Sequence, residues 1–142
     1  MSEGRAALRD SKFGQLTVGT IMEAEVESAE KDAKAELLAS YMMEGFGSVP
    51  IVDAQTKLLG IVSEFDLLTA LGKGKKLSEV SAGDIMTPNP VSVTKDTDVV
   101  TLIDVLQNNH LIRVPVVDSM GKLIGIVARR DLLRGYLQTP DH

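Results

Sequence analysis

The stretch GIVSEFDLL at 60–68 returns as GIVARRDLL at 125–133, with six of nine letters kept at a spacing of 65. The match extends upstream. SVPIVDAQTKLLGIVSEFDLL (48–68) lies over RVPVVDSMGKLIGIVARRDLL (113–133) with 12 identities in 21, and TVGTIM (17–22) lies over SAGDIM (81–86) at a spacing of 64. A chain of 142 residues that repeats one pattern in this way is a tandem duplication of a unit of roughly 55–60 residues. Two copies are too few for a long solenoid, so a closed pair is expected. The division that follows is an N-terminal extension (1–15), a first repeat (16–71), a linker (72–80), a second repeat (81–137) and a short tail (138–142).

Each copy parses alike. VES (26–28) and VSV (91–93) are short extended pieces. In the second copy Val99, Leu102, Ile103 and Leu106 fall at helical spacing behind the capping candidates of 94–98. In the first copy Ala33, Leu37, Leu38, Tyr41 and Met42 do the same. VPIVD and VPVVD then read as strands, with a proline that suits a strand start or edge. LLGIV and LIGIV follow after a turn, which makes a hairpin apolar enough to be covered by helices. A last helix opens at Ser63 or Ala128. The unit is β-α-β-β-α and the class α/β (α+β). The linker is polar and glycine-rich, and its GKGKK lacks the spacing of a phosphate loop, so a solvated connector is expected.

Composition excludes several functions. There is no cysteine, hence no disulfide, thiolate zinc site or cysteine nucleophile. The two histidines, His110 and His142, are 32 positions apart and no His–carboxylate metal motif or nucleophile elbow appears, so neither a metal site nor an enzyme is expected. His110 reads as a group at a helix C-terminus. No apolar run approaches a membrane span and the N-terminus has no secretory pattern, which implies a cytoplasmic protein. A net charge of −5 argues against nucleic acid as the primary partner.

The informative contrast lies inside the repeated motif. In the first copy Ser63 and Asp66 have the spacing of a capping box. In the second, Ala128 has no side chain to cap with, yet Asp131 persists, and Arg129 and Arg130 occupy a first turn where cations oppose the helix dipole. A local rule broken in this way marks a functional place. A helix N-terminus with two arginines reads as an anion site, with Asp131 placed to accept from sugar hydroxyls. Alternatively, the arginines project into water and the aspartate is structural.

These motifs, VGTIM and AGDIM, SVPIVD and RVPVVD, GIVSEFDLL and GIVARRDLL, resemble a tandem pair of cystathionine-beta-synthase (CBS) domains, the arrangement called a Bateman module, over about 16–137. The resemblance implies two repeats packed with pseudo-two-fold symmetry through their sheets, with two ligand clefts between them. It also implies AMP, ADP or ATP as ligand, with S-adenosylmethionine or NAD as alternatives and no cofactor required. By the family pattern Ser63 reaches phosphate and Asp66 holds the ribose; Asp131 matches and Ala128 does not. An apolar adenine slot falls on Ala24 and Val26 with Val49 and Pro50, and on Thr87, Pro90, Val91 and Val93 with Val114 and Pro115. Arg113 stands where family members carry a phosphate-facing base; its counterpart is Ser48. All basic candidates (Arg113, Arg129, Arg130) thus belong to the second copy, and the clefts are expected to differ. The resemblance further implies a homodimer, a disc of four repeats built through the helices, and a separate, unnamed regulated protein. The competing reading is a dimerisation or interaction module whose clefts are vestigial.

Overall fold

Alternation along two hairpins and a 3.6-residue stripe on the flanking helices build two units, each with its own core, in this computed structural model. It describes residues 3–140; residues 1, 2 and 141, with His142, lie outside the described residues. One unit comprises Glu27–Pro90 with Met120–Leu123; the other comprises the chain up to Val26, Val91–Ser119 and the chain from Ile124. They are called the first-hairpin unit and the second-hairpin unit below.

In the first-hairpin unit, β1 (Ser48–Val52) pairs antiparallel with β2 (Leu58–Ser63), Ser48 opposite Ser63 and Pro50 opposite Ile61. The turn closes on Asp53, whose Oδ1 accepts the N–H groups of Gln55 and Lys57, both at 2.9 Å. Strand alternation sends Val49, Ile51 and Val62 to one face, where they meet Leu38 and Met42 of α3 (Ala35–Met43) and Leu67 of α4 (Glu64–Gly72). Full burial of each such side chain contributes about 1.5–3 kcal/mol. The helix expected around Ala33 begins two residues later. Its buried stripe is Ala35, Leu38 and Met42, while Leu37 is 43 % exposed. Ala29 bridges Ile51 in parallel on one side of the hairpin. On the other side, after α5 (Ala82–Ile85), β3 (Thr87–Pro88) adds to β2, with Thr87 opposite Ile61.

The second-hairpin unit repeats this plan. β4 (Val93–Thr94) runs parallel beside β5 (Arg113–Val117), which neighbours β6 (Leu123–Ala128). Val93, Val114, Val116 and Val127 pack under α6 (Val99–Asn108) and α7 (Arg129–Gln138). The outer partner of β6 is Glu23, which exchanges backbone hydrogen bonds of 2.8 and 2.9 Å with Ile126. The leading segment of the first repeat therefore completes the second repeat's sheet, and residues 87–88 of the second complete the first's. Each fills the open edge of a strand whose N–H and C=O groups need partners.

The N-terminal extension folds onto the second-hairpin unit. α1 (Glu3–Asp10) leads into a 3₁₀ turn (Phe13–Gln15) and then α2 (Val18–Ile21). Phe13 is buried and meets Tyr136 edge to face at 5.4 Å. Arg5 pairs with Asp104, and Arg9 lies 3.3 Å from Asp98. In the expected linker, Lys73–Lys76 are exposed, but Val80 is buried and Leu77 packs against the same core. Leu77 and Val80 follow Phe13 and Leu16 by 64 residues, so the duplicated plan reaches further upstream than the motifs indicate.

Asp98 caps α6, accepting from Thr101 N–H at 2.8 Å and Thr101 O–H at 2.9 Å. Burial pushes its carboxyl up, but the two Thr101 bonds and the Arg9 guanidinium outweigh this and hold it below its ordinary value. A carboxylate so depressed adds stability above its unfolded pKa, near 4, and loses it as pH falls through the lower folded value. The expected result is an acid-side fall in stability that is smaller in Asp98→Asn, which keeps a cap acceptor but not the charge. Urea midpoints between pH 2 and 6 measure it.

Candidate functional site

The face of each sheet turned away from its helices carries the polar residues. In the first-hairpin unit, alternation places Ser48, Pro50, Ile61, Ser63 and Thr87 there, in cross-strand rows Ser48–Ser63 and Pro50–Ile61–Thr87. Asp66 joins them through the capping box. Its Oδ2 accepts from Ser63 N–H at 2.8 Å and from Ser63 O–H at 3.1 Å, and its own N–H donates to Ser63 Oγ at 3.2 Å. That leaves Asp66 Oδ1 without a hydrogen-bond partner among the described residues. The Ser48 hydroxyl is buried and has no partner among the described residues. A buried hydroxyl in that state costs about 1–3 kcal/mol, which is the mark of a place meant for one. The first-hairpin unit carries Glu64 at this end of α4 and has no arginine among its residues. Asp66 also borders a pocket of about 190 Å³ with Thr69, Lys73, Lys75 and Asp84, small for a nucleotide, whose pockets run to about 300 Å³ and more.

In the second-hairpin unit the same face carries Arg113 and Ala128, with Glu23 at the place held by Thr87 in the other unit. Asp131 retains half of the box: its Oδ2 accepts Ala128 N–H at 2.8 Å, while Ala128 has no oxygen to return the bond. Its Oδ1 takes the Arg134 guanidinium, and the residue is only 6 % exposed. Asp131 therefore has a structural function, and the persistence of the aspartate does not by itself require a ligand. Arg129 N–H donates to the Ile112 carbonyl at 2.9 Å, which sets the start of β5 against the start of α7.

The structure sorts the remaining candidates. Val49, Val93 and Val114 point into the helix-covered cores, away from Ser63 and Ala128, because each is one residue out of phase with the polar face. Pro50 and Pro115 are in phase with it and buried. Ala24 and Val26 belong to the same unit as Pro115, Arg113 and Asp131, and Thr87 and Pro90 to the same unit as Pro50, Ser63 and Asp66. That is the reverse of the in-line pairing read from the sequence, and it follows from the exchanged leading segments. Val91 is 42 % exposed. Arg130 is exposed at the start of α7. Arg129 instead borders a groove of about 720 Å³ on the helical side, between α6 and α7, with Phe13, His110, Ile112, Leu133 and Tyr136. His110 sits just past the C-terminus of α6 with φ +53°. Ser48 and Glu23 are the residues that motif reading did not select; the signal for both was the column of the repeat in which Arg113 and Thr87 stand.

Comparison with known proteins agrees with this architecture. The CBS domain pattern matches residues 18–73 and again 82–138. MK0525, an uncharacterized protein of Methanopyrus kandleri, is 35 % identical over 121 residues, 84 % of this chain and 62 % of that protein. The chain thus spans less than two thirds of the length of such relatives. The crystal structure of CBSX2 in complex with AMP matches with a TM-score of 0.77 and 31 % identity over 87 % of this chain and 97 % of that one. The CBS domain pair of MJ0100 in complex with 5′-methylthioadenosine and S-adenosyl-L-methionine matches with a TM-score of 0.76 and 27 % identity, over 84 % of this chain and 94 % of that one. With the pattern matched twice across most of its length, in two hairpin units of one plan, the chain belongs to the CBS domain family and carries a pair of CBS domains.

Proposed function

We propose that the protein is a regulatory module of the cytoplasm that binds adenosine compounds on the polar faces of its two sheets and passes the occupancy to a separate partner protein. The observation that carries this reading is the unpartnered, buried Ser48 hydroxyl in register with Ser63, beside the open oxygen of Asp66. The adenosine ligands of CBSX2 and MJ0100 support the ligand class. A ribose diol donates to Asp66 Oδ1, and the Ser48 and Ser63 hydroxyls take the polar atoms next to it. The two units differ in charge. The first-hairpin unit, with Ser48, Ser63 and Glu64, suits a nucleoside without phosphate or with a cationic tail, such as methylthioadenosine or S-adenosylmethionine. The second-hairpin unit, with Arg113 and Arg130 near Asp131, suits the phosphate of AMP, ADP or ATP. Among the described residues no group on either face is arranged as a nucleophile with its base, and in this reading the module binds and does not catalyse. It acts as a homodimer, since Phe65, Leu68, Leu133 and Leu137 expose 63–74 % of their surface on α4 and α7. Neither nucleic acid nor a membrane is part of the reading; among the described residues no helix is long and apolar enough to cross a membrane.

Isothermal titration with AMP, ATP, methylthioadenosine and S-adenosylmethionine is expected to give two unequal sites. Arg113→Ala should weaken the phosphate-bearing ligands about tenfold, the scale of one charge-assisted hydrogen bond, and leave methylthioadenosine unchanged. Two equal sites for every ligand contradict the assignment. The second reading, an interaction module with vestigial clefts, is favoured by the double engagement of Asp131. Thermal shift separates the two readings: a ligand at 100 times its Kd adds about 2.7 kcal/mol, and no shift with any adenosine compound supports the second.

A further inference from the structure

The last helices of the two repeats, α4 and α7, are copies of one framework with opposite charge. α4 carries Glu64 and Asp66 and no basic residue, whereas α7 carries Arg129, Arg130 and Arg134 against Asp131. Glu64 and Arg129 stand 65 positions apart, each the first residue of its helix, and neither is ion-paired among the described residues. Behind them run apolar stripes, Phe65, Leu68 and Leu71 on α4 and Leu133, Tyr136 and Leu137 on α7, all exposed by 39 % or more; Leu68 matches Leu133 and Leu71 matches Tyr136, whereas Arg130 stands at the place of Phe65 and Gly72 at that of Leu137. The stripes differ in shape. Phe65, 74 % exposed, projects from α4, while the side of α7 facing α6 is the groove of about 720 Å³ bordered by Arg129.

We infer that in the homodimer the pairing is unlike: the helical side of the first-hairpin unit of one copy packs on that of the second-hairpin unit of the other, with Phe65 in the groove and Glu64 facing Arg129. This rests on the homodimer of the preceding section and decides its pairing. Apolar burial at the shared places does not choose, because Leu68 and Leu133 are equivalent. Charge does. Whatever separation a like pairing sets between two Arg129 side chains, an unlike pairing of the same framework sets between Glu64 and Arg129. Like pairing therefore brings one pair of cations and one pair of anions together, and unlike pairing brings two opposite pairs.

Sedimentation equilibrium of the full chain tests this with Glu64→Arg, Arg129→Glu and the double exchange, circular dichroism serving as the check on folding. Arginine is already the native residue at the place equivalent to Glu64, so the framework accepts it. Unlike pairing predicts that each single change raises the dimer dissociation constant about tenfold through two repulsive contacts, and that the double exchange returns it to within about threefold of the wild type. Phe65→Ala, which alters no charge, should weaken the dimer by at least about tenfold. Like pairing predicts no change for either single exchange, because the signs at each contact stay matched. Unchanged single variants, a double variant as weak as the singles, or an indifferent Phe65→Ala each overturn the inference while the homodimer stands. A wild type that sediments as a monomer at every concentration removes both.

Discussion

Gly60→Val unfolds the protein at markedly lower urea and temperature than the wild type. A Cβ at Gly60 would lie 2.5 Å from Met86 Sδ and 2.8 Å from the Thr87 carbonyl oxygen, where β3 crosses β2. The sulfur can swing aside but the carbonyl belongs to the strand that completes the sheet. A branched side chain must expel that strand or strain it, at a cost of about 2–4 kcal/mol and a midpoint lower by roughly 10 °C. Gly125→Val is expected to behave alike, since its Cβ would meet the Glu23 carbonyl oxygen at 2.8 Å. Gly72→Ala is the control: nothing lies within 4 Å of its Cβ, so it should be neutral within about 0.5 kcal/mol. Equal midpoints for Gly60→Val and Gly72→Ala would show that the leading segments do not hold the sheets as described.

The second large effect is on binding. Asp66→Ala removes a carboxylate that closes the start of α4 and, in the proposed function, grips the ribose. The first loss costs about 1 kcal/mol of stability, the scale of a helix cap. The second costs about tenfold to a hundredfold in affinity for the ligand of the first-hairpin unit, the scale of a hydrogen bond to a charged group. Ser63→Ala copies the Ala128 arrangement and should lose the cap and one neutral hydrogen bond to the ligand, about threefold to tenfold in affinity, while Asp66 keeps its bond to the ribose. Asp131→Ala leaves Ala128 N–H without its acceptor, while the half-exposed Arg134 guanidinium turns to water, so it should cost about 1–3 kcal/mol of stability. Titration calorimetry on the folded fraction separates the two kinds of loss. Undiminished affinity for every adenosine compound in a folded Asp66→Ala/Asp131→Ala double variant would end the ribose assignment.

The capping box shows how far local reading reaches. Ser63 and Asp66 are three residues apart, so their bonds depend on one turn of helix, and spacing alone foretold them. The hairpin was equally legible, because alternation and turn chemistry act within about a dozen residues. At Ala128 the same logic stopped short. The missing hydroxyl made Asp131 look unexplained, yet Ala128 N–H and Arg134 occupy both its oxygens. A backbone donor is present in every residue except proline and leaves no trace in the letters.

The positions proposed as adenine walls divide for a different reason. Val49 and Pro50 are adjacent letters, but a strand sends them to opposite faces, and only packing against α3 and α4 shows which face is covered. The basic trio divided similarly: Arg113 lies on the sheet's polar face, while Arg129, one residue past its end, borders the helical groove.

The duplication, the order of elements, the hairpins and the capping aspartates were determined by the sequence itself, because each depends on neighbours within a turn or a strand. The tertiary structure alone decided which leading segment completes which sheet. TVGTIM stands before the first hairpin in the chain, yet the segment it begins pairs at Glu23 with Ile126, more than 100 residues away. Both hairpins offer the same kind of open edge, so no local preference distinguishes them. The choice belongs to the closure of the whole chain, and with it the company that Asp66 and Asp131 each keep.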